Sequence, residues 1–253
     1  MRAAFFDLDK TLIAKSSLVA FGPEFHARGL INKRVALTIV LNNLLFQRFG
    51  ADEEKLEKIR ESTLKITKGW DHLEVKKIVA ETINDIVEPL IYREALDLID
   101  FHLGCGDEVW LVSMSPSEVV EPFAELLGLT GAVASRARID AEGRFTGELE
   151  YFNNGANKAE SIRALAAERG IDLADSFAYS DSETDVPMLR AVGHPFAVNP
   201  DRTLAKIAHD ESWPVLSFTH PVTARRRRSH TPFLVSALAL AALTVLNGRR
   251  RKA

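Results

Sequence analysis

Cysteine is nearly absent: the 253 residues contain one, Cys105. An internal disulfide is therefore excluded, and the chain suits a reducing compartment. No histidine pair stands at zinc-binding spacing, no Walker-type glycine-lysine loop is present, and no nucleophile elbow occurs. The first residues run directly into a strand-like stretch, without the charged and then apolar regions of a secretory signal, so none is expected. No stretch repeats at a fixed period.

Acids are missing from one region only. Residues 223–253 hold eight cations, at 225–228, 249–251 and 252, and no Asp or Glu. The remainder holds 24 basic against 35 acidic residues, so a body of −11 joins a tail of +8. An acidic body disfavours nonspecific nucleic-acid binding, and the arginines lack interleaved aromatics, so no nucleic acid is expected as a partner. Hydrophobic content of 46% and charged content of 26% are those of a soluble globular protein with a sizeable core. The length allows one large domain or two modest ones.

The first dozen residues organise what is there. Met1-Arg-Ala-Ala-Phe-Phe-Asp7-Leu-Asp9-Lys-Thr11-Leu12 is a short apolar run ending in two carboxylates two apart, with a hydroxyl two further on. The run suits a buried strand, and ligands of open α/β sheets bind beyond the carboxyl ends of strands. Alone, the pair reads equally well as two solvated aspartates. Residues 15–88 then follow helical periodicity, with helices expected over 16–28, 32–49, from Asp52 to 66 and from Asp71 to 87. Beyond Pro89, helices expected over 90–103, 117–127, 158–169, 185–191 and 201–209 alternate with strands over 108–113, 176–179, 194–198 and 214–218. Residues 132–139 and 144–151 flank a turn and read as a hairpin. The alternation predicts an α/β fold: a Rossmann-like three-layer core with a mostly parallel sheet, an inserted all-helical cap domain and a C-terminal apolar/basic tail. The expected division is a core of 1–14 and 90–222, a cap of 15–89 and a tail of 223–253.

Four stretches carry chemistry, each at a strand end or a helix start. They are Asp7-x-Asp9-x-Thr11, Ser113, Lys158 after Asn153-Asn-Gly-Ala-Asn157, and Ser180-Asp181-Ser-Glu-Thr-Asp185. Their chemistry converges on a phosphoryl group, which needs cations and donors around its oxygens. Lys158 supplies a charge at a helix N-terminus and Ser113 a hydroxyl. Asp7, Asp9 and Asp181 form a set of hard oxygen ligands able to hold Mg2+. With the metal in place an aspartate can attack phosphorus. The residues alone do not say which one.

In order and spacing the four stretches resemble the haloacid dehalogenase-like hydrolase superfamily over about residues 1–220. Tyr179-Ser-Asp181-Ser-Glu-Thr-Asp185-Val-Pro187-Met-Leu and the helical insert after the first motif are similar to its phosphoserine phosphatase-like branch (subfamily IB). The resemblance implies Asp7 as the nucleophile of an aspartyl-phosphate and Asp9 as the acid that protonates the leaving alcohol and then activates water. It implies Mg2+ on the Asp7 and Asp181 carboxylates and the Asp9 backbone carbonyl, phosphate on Ser113 and Lys158, Thr11 as a brace, and Asp185 orienting Lys158 or a metal-bound water. Two departures stand out. Phosphoserine phosphatases carry a glutamate nine residues after the nucleophile, where this chain has Ser16, and glycines after the motif-two serine, where it has Met114 and Ser115. Both argue against free phosphoserine.

In the tail, residues 233–246 form a 14-residue apolar run between arginine clusters. That length lies between a buried helix and a membrane span. The run can span once as a transmembrane helix, lie in the interface with arginines on anionic headgroups, or pack on the body. The expectation is a cytoplasmic catalytic domain held at the membrane by its tail, acting on a small-molecule or lipid phosphomonoester. A phosphotransferase with another acceptor, or a phosphate-dependent binding module without turnover, are the alternatives.

Overall fold

A computed structural model describes residues 1–32, 35 and 53–221. The helix expected over 32–49 falls largely outside them, and Asp52 and the tail from 222 onward fall outside entirely. β1 (Ala3–Phe6) is followed by α1 (Ser17–Ala27), α2 (Glu53–Thr67) and α3 (His72–Val87). A 3-10 turn (Glu88–Leu90) leads into α4 (Arg93–Gly104), β2 (Glu108–Pro116) and α5 (Ser117–Leu126). β3 (Gly131–Ile139) and β4 (Phe145–Tyr151) form the expected hairpin, antiparallel in pairing. α6 (Ala156–Arg169), β5 (Phe177–Ser180), α7 (Val186–Leu189), β6 (His194–Val198), α8 (Arg202–Asp210) and β7 (Val215–Leu216) complete the described chain.

The strands join one sheet in the order β4-β3-β2-β1-β5-β6-β7, parallel except for β3–β4. Period two splits β1 between two cores. Ala4 and Phe6 pack with α1, α3, α4 and α5 through Phe21, Val79, Ile99 and Phe123. Ala3 and Phe5 pack with α6, α7 and α8 through Ile162, Met188 and Leu204. The result is the expected three-layer α/β arrangement.

Local signals explain several boundaries. Asp71 caps α3, accepting from the Leu73 and Glu74 amides, and Asp201 caps α8, accepting from Leu204. Gly170 ends α6 at φ 71, in the left-handed region. Between Ile13 and Ile91 the regular elements among the described residues are helical. The two ends of this insert meet: Ile13 bridges Ile91, the Ala14 amide donates to the Leu90 carbonyl, and Tyr92 to Leu12. After β1 the chain builds β2, β3 and β4 to one side, then β5, β6 and β7 to the other. The crevice at such a reversal, at the carboxyl ends of the strands, is where this fold class places ligands.

Candidate active site

Asp7 follows β1, Ser113 lies in β2 and Asp181 follows β5, so three neighbouring strands deliver their motif residues to that crevice. Lys158 arrives from the other side, as the third residue of α6. Gly155 precedes that helix at φ 54, ψ −120, a conformation that favours glycine and turns the chain into the helix. Lys158 Nζ donates to Asp7 Oδ1 at 2.7 Å and to Asp185 Oδ2 at 2.8 Å, all three groups being buried. Ser180 Oγ donates to the same Asp185 oxygen at 2.7 Å. Asp185 therefore contacts Lys158 through the same oxygen that Ser180 holds. The Asp7 amide is tied to the Tyr179 carbonyl at 3.0 Å, which couples the ends of β1 and β5. Thr11 Oγ1 donates to Asp181 Oδ1 at 3.4 Å, a contact between the first motif and the fourth.

Asp9 stands apart from this cluster. Its Oδ1 accepts the Ser17 amide at 2.7 Å, at the start of α1, and its Oδ2 lies 3.3 Å from both the Ser17 and Ser115 hydroxyls. Lys10, the residue after Asp9, has φ 64, a left-handed backbone that is strained for a side-chain-bearing residue, where the chain turns beyond the two aspartates. Ser113 is buried, and its Oγ accepts the Ser115 amide at 3.1 Å. The sequence predicts that β2 ends at Ser113; it continues to Pro116 through a register shift against β3.

Charge in the site is unbalanced. Asp7, Asp181 and Asp185 are all buried, and Lys158 is the cation that two of them share. Burial pushes the Asp7 carboxyl up to about 7, with Lys158 opposing and Asp185 adding to the rise. Burial and then the Asp7 charge hold Asp181 well above the ordinary carboxylate range. Burial also raises Asp9, against the hydrogen bonds from Ser17 and Ser115. Burial alone would lower Lys158, but the Asp185 and Asp7 charges outweigh it and hold the ammonium above its usual value. Asp185 Oδ1 is buried with no hydrogen-bond partner. Excess buried acid, an orphaned carboxylate oxygen and an all-oxygen donor set fit a hard divalent cation. Among the described residues no three His, Cys, Asp or Glu side chains form a ready cage. Magnesium is commonly held by one or two carboxylates, waters and substrate phosphate, so this suits it better than calcium.

All seven expected site residues lie at the carboxyl end of the sheet, with Asp7, Lys158 and Asp185 in direct contact and Asp9 in a separate clasp. Sequence reading missed Ser17, Ser115 and Ser180, which hold Asp9 and Asp185, and Asn153, whose amide reaches the Ser113 carbonyl at 3.1 Å. Asn153 and Ser180 stand inside stretches already singled out. Ser17 carries no local signal.

Residues 4–190 match the haloacid dehalogenase-like hydrolase family. The chain is 48% identical over 225 residues to a probable phosphatase of Mycobacterium tuberculosis, covering 89% of this chain and 78% of the relative. It is 30% identical over 221 residues to a histidinol-phosphatase of Neisseria meningitidis, covering 85% and 98%. A solved structure from Bordetella pertussis, of unknown function, superposes with a TM-score of 0.73 at 28% identity, covering 85% of this chain and 97% of that one. A phosphoserine phosphatase holding a phospho-aspartyl intermediate analogue shares the fold, with a TM-score of 0.62 at 21% identity and coverage of 87% and 94%. Together with the convergence of the four motifs at the sheet's switch point, these matches identify the chain: it belongs to the haloacid dehalogenase-like hydrolase family, and it is a phosphatase.

Proposed function

We propose that this phosphatase hydrolyses a phosphomonoester in two steps through an aspartyl-phosphate on Asp7, with Mg2+ as cofactor. The observation that carries the reading is the buried Lys158, held between Asp7 and Asp185 with Asp181 buried nearby. Lys158 fixes the Asp7 carboxylate for attack and, with Ser113, binds phosphoryl oxygens. In the first step an Asp7 oxygen bonds to phosphorus, the bond to the leaving oxygen breaks, and Asp9 gives that oxygen its proton. In the second, Asp9 takes a proton from water, the water oxygen bonds to phosphorus, and the bond to Asp7 breaks. Asp7 and Asp181 through carboxylates, and Asp9 through its backbone carbonyl, would hold Mg2+, which when bound supplies positive charge against the carboxylates and the phosphoryl oxygens. The Ser17–Ser115 clasp supports a separate role for Asp9, since it keeps that carboxylate out of the lysine pair.

The substrate is a phosphomonoester other than free phosphoserine. Ser16 precedes α1 without a side-chain cap bond and carries no charge for an amine. Ser115 spends its hydroxyl on Asp9, where phosphoserine phosphatases have glycine. Residues 15–89 form a substrate-selecting cap on a core of 1–14 and 90–222, supported by the meeting of the insert's ends at Ile13 and Ile91. The basic-apolar-basic segment 223–253 holds the enzyme at an anionic membrane, where a lipid phosphomonoester is a candidate substrate. No helix among the described residues is long and apolar enough to cross a membrane, and this segment lies outside them.

The decisive experiment is turnover of an aryl phosphate with and without Mg2+ by the wild type and Asp7→Asn. Loss in the variant and on chelation is expected; near-normal rates in Asp7→Asn would overturn the mechanism. For the tail, the full chain should co-sediment with phosphatidylserine vesicles and a chain ending at residue 222 should not. Equal sedimentation would remove the membrane reading.

A further inference from the structure

We propose that Asn153 is a positioning residue for phosphate binding, setting the separation between Ser113 and Lys158; this rests on the reading that those two residues hold phosphate. β2 and β3 pair in register as far as Val112 with Val133, and pairing resumes at Pro116 with Ser135. β2 thus advances four residues where β3 advances two, and the ladder is interrupted beside Ser113. An interrupted ladder leaves buried backbone groups that need other partners.

Asn153 supplies them. Its Nδ2 donates to the Ser113 carbonyl at 3.1 Å and to the Val133 carbonyl at 2.9 Å, one on each side of the gap. Its Oδ1 accepts from Ser161 Oγ at 3.1 Å, and its backbone amide donates to Ser135 Oγ at 3.0 Å. The residue is fully buried. Two carbonyls facing one end of the side chain and a hydroxyl facing the other assign the amide orientation. The same requirement excludes a carboxylate, which cannot donate to carbonyls, and an aliphatic side chain, which can neither donate nor accept.

Ser161 lies on α6, three residues after Lys158 and on the same side of the helix. The planar amide of Asn153 therefore joins the backbone of Ser113 to the helix that carries Lys158. Tyr151 strengthens the connection, with its Oη 2.7 Å from Ser161 Oγ and 2.9 Å from the Asn157 carbonyl. None of these groups touches the reacting atoms; they act through the two that bind phosphate.

The test uses the full chain with Mg2+, an aryl phosphate as substrate and inorganic phosphate as competitive inhibitor. Asn153→Ala, Ser113→Ala and the double variant form a cycle. Asn153→Ala should lower kcat/KM on the order of tenfold and weaken phosphate inhibition, since small misplacements of binding groups are costly. In the Ser113→Ala background the same change should cost roughly fivefold less, because contacting residues on one path do not add. Additive effects, or unchanged phosphate inhibition in Asn153→Ala, would overturn the proposal. Ser161→Ala keeps the fold safer: it should weaken phosphate inhibition by about threefold, the loss of one hydrogen bond, and Ser161→Thr should restore it. If Asn153→Ala does not fold and Ser161→Ala binds phosphate normally, the proposal fails. A wild type whose turnover does not depend on Asp7 would instead overturn the functional reading, a result the cycle cannot imitate.

Discussion

The Lys158 cluster and the His102 cluster are both buried, and both lean on β5 through Tyr179. The Tyr179 carbonyl accepts the Asp7 amide, while its hydroxyl lies 2.8 Å from His102 Nε2. His102 Nδ1 lies 2.9 Å from Asp107 Oδ2, and Arg2 Nε donates to Asp107 Oδ1 at 2.9 Å. With the carboxylate accepting, the tautomer follows: Nδ1 carries the proton and the Tyr179 hydroxyl donates to Nε2. Here one acid meets one guanidinium, and both ring nitrogens of His102 are used. In the Lys158 cluster two carboxylates share one ammonium, a third acid, Asp181, is buried near them with Lys10 also acting on it, and Asp185 Oδ1 has no hydrogen-bond partner. Buried polar groups that only hold a fold end up paired. Perturbed, unbalanced acids concentrate where proteins bind or react. The contrast supports the proposed chemistry at Asp7 without reference to any relative.

The sharpest way to break the contrast is Asp7→Asn. Turnover of an aryl phosphate should fall at least about 10³-fold, as for loss of a covalent nucleophile. Its thermal unfolding should be unchanged or later, because one of three crowded acids loses its charge. A variant that loses stability but keeps activity would place Asp7 with the structural groups. Next in size is Lys158→Met. It strands two buried carboxylates, so beyond losing activity it should cost about 3–5 kcal/mol in urea unfolding. A cost near zero would mean that the acids are already neutral or otherwise compensated.

The His102 cluster predicts a pH effect instead. Burial holds the His102 pKa below its ordinary 6.5, against the pull of Asp107. The unfolded chain therefore binds a proton as pH falls below about 6.5, before the folded chain does. Stability from this group is complete above that pH and is lost below it, with a limiting slope of about 1.4 kcal/mol per pH unit for one proton. His102→Gln should flatten the loss between pH 6.5 and 5 while leaving turnover per folded molecule within about twofold. An unaltered pH slope would sink the assignment of a neutral, buried His102.

Much of this was legible in the residues themselves. Asp7, Ser113 and Asp181 were readable because apolar strand runs end at polar residues, and Lys158 because a helix begins beside it. Asp71, Asp201 and Gly170 announced helix ends through local chemistry that acts within three or four residues. What could not be read were partnerships that only folding creates. His102 and Tyr179 are 77 residues apart, and Asn153 meets Ser113 across 40. Nothing near Ser17 or Ser115 in sequence points to Asp9, since their convergence depends on how α1 and the end of β2 enter the crevice. Ser113 reads as a strand end because the apolar run 109–112 stops there, yet β2 continues past it through the register shift that Asn153 fills. Burial stops with Ser113, since Met114 and Pro116 are exposed, so the apolar pattern cannot show that the strand goes on.

Ser115→Ala tests the finest division between the two kinds of network. It removes one hydroxyl from Asp9 Oδ2 and leaves the Ser17 amide on Oδ1 at 2.7 Å and the Ser17 hydroxyl on Oδ2 at 3.3 Å. The Ser17 and Ser115 oxygens are 3.0 Å apart, so the remaining hydroxyl gives its proton to Asp9 without a competitor. Stability should therefore change by less than about 1 kcal/mol, the net worth of one neutral partner. If Asp9 is the acid and base, its orientation matters in both chemical steps, and kcat should fall by about three- to tenfold with KM nearly constant. A hydrogen bond of ordinary strength is then read out in rate at this carboxylate, whereas one of the same kind at Asp107 is read out in stability. Should Ser115→Ala instead melt earlier and turn over normally, Asp9 would belong with the structural groups, and the acid that serves the leaving oxygen would have to be sought elsewhere in the crevice.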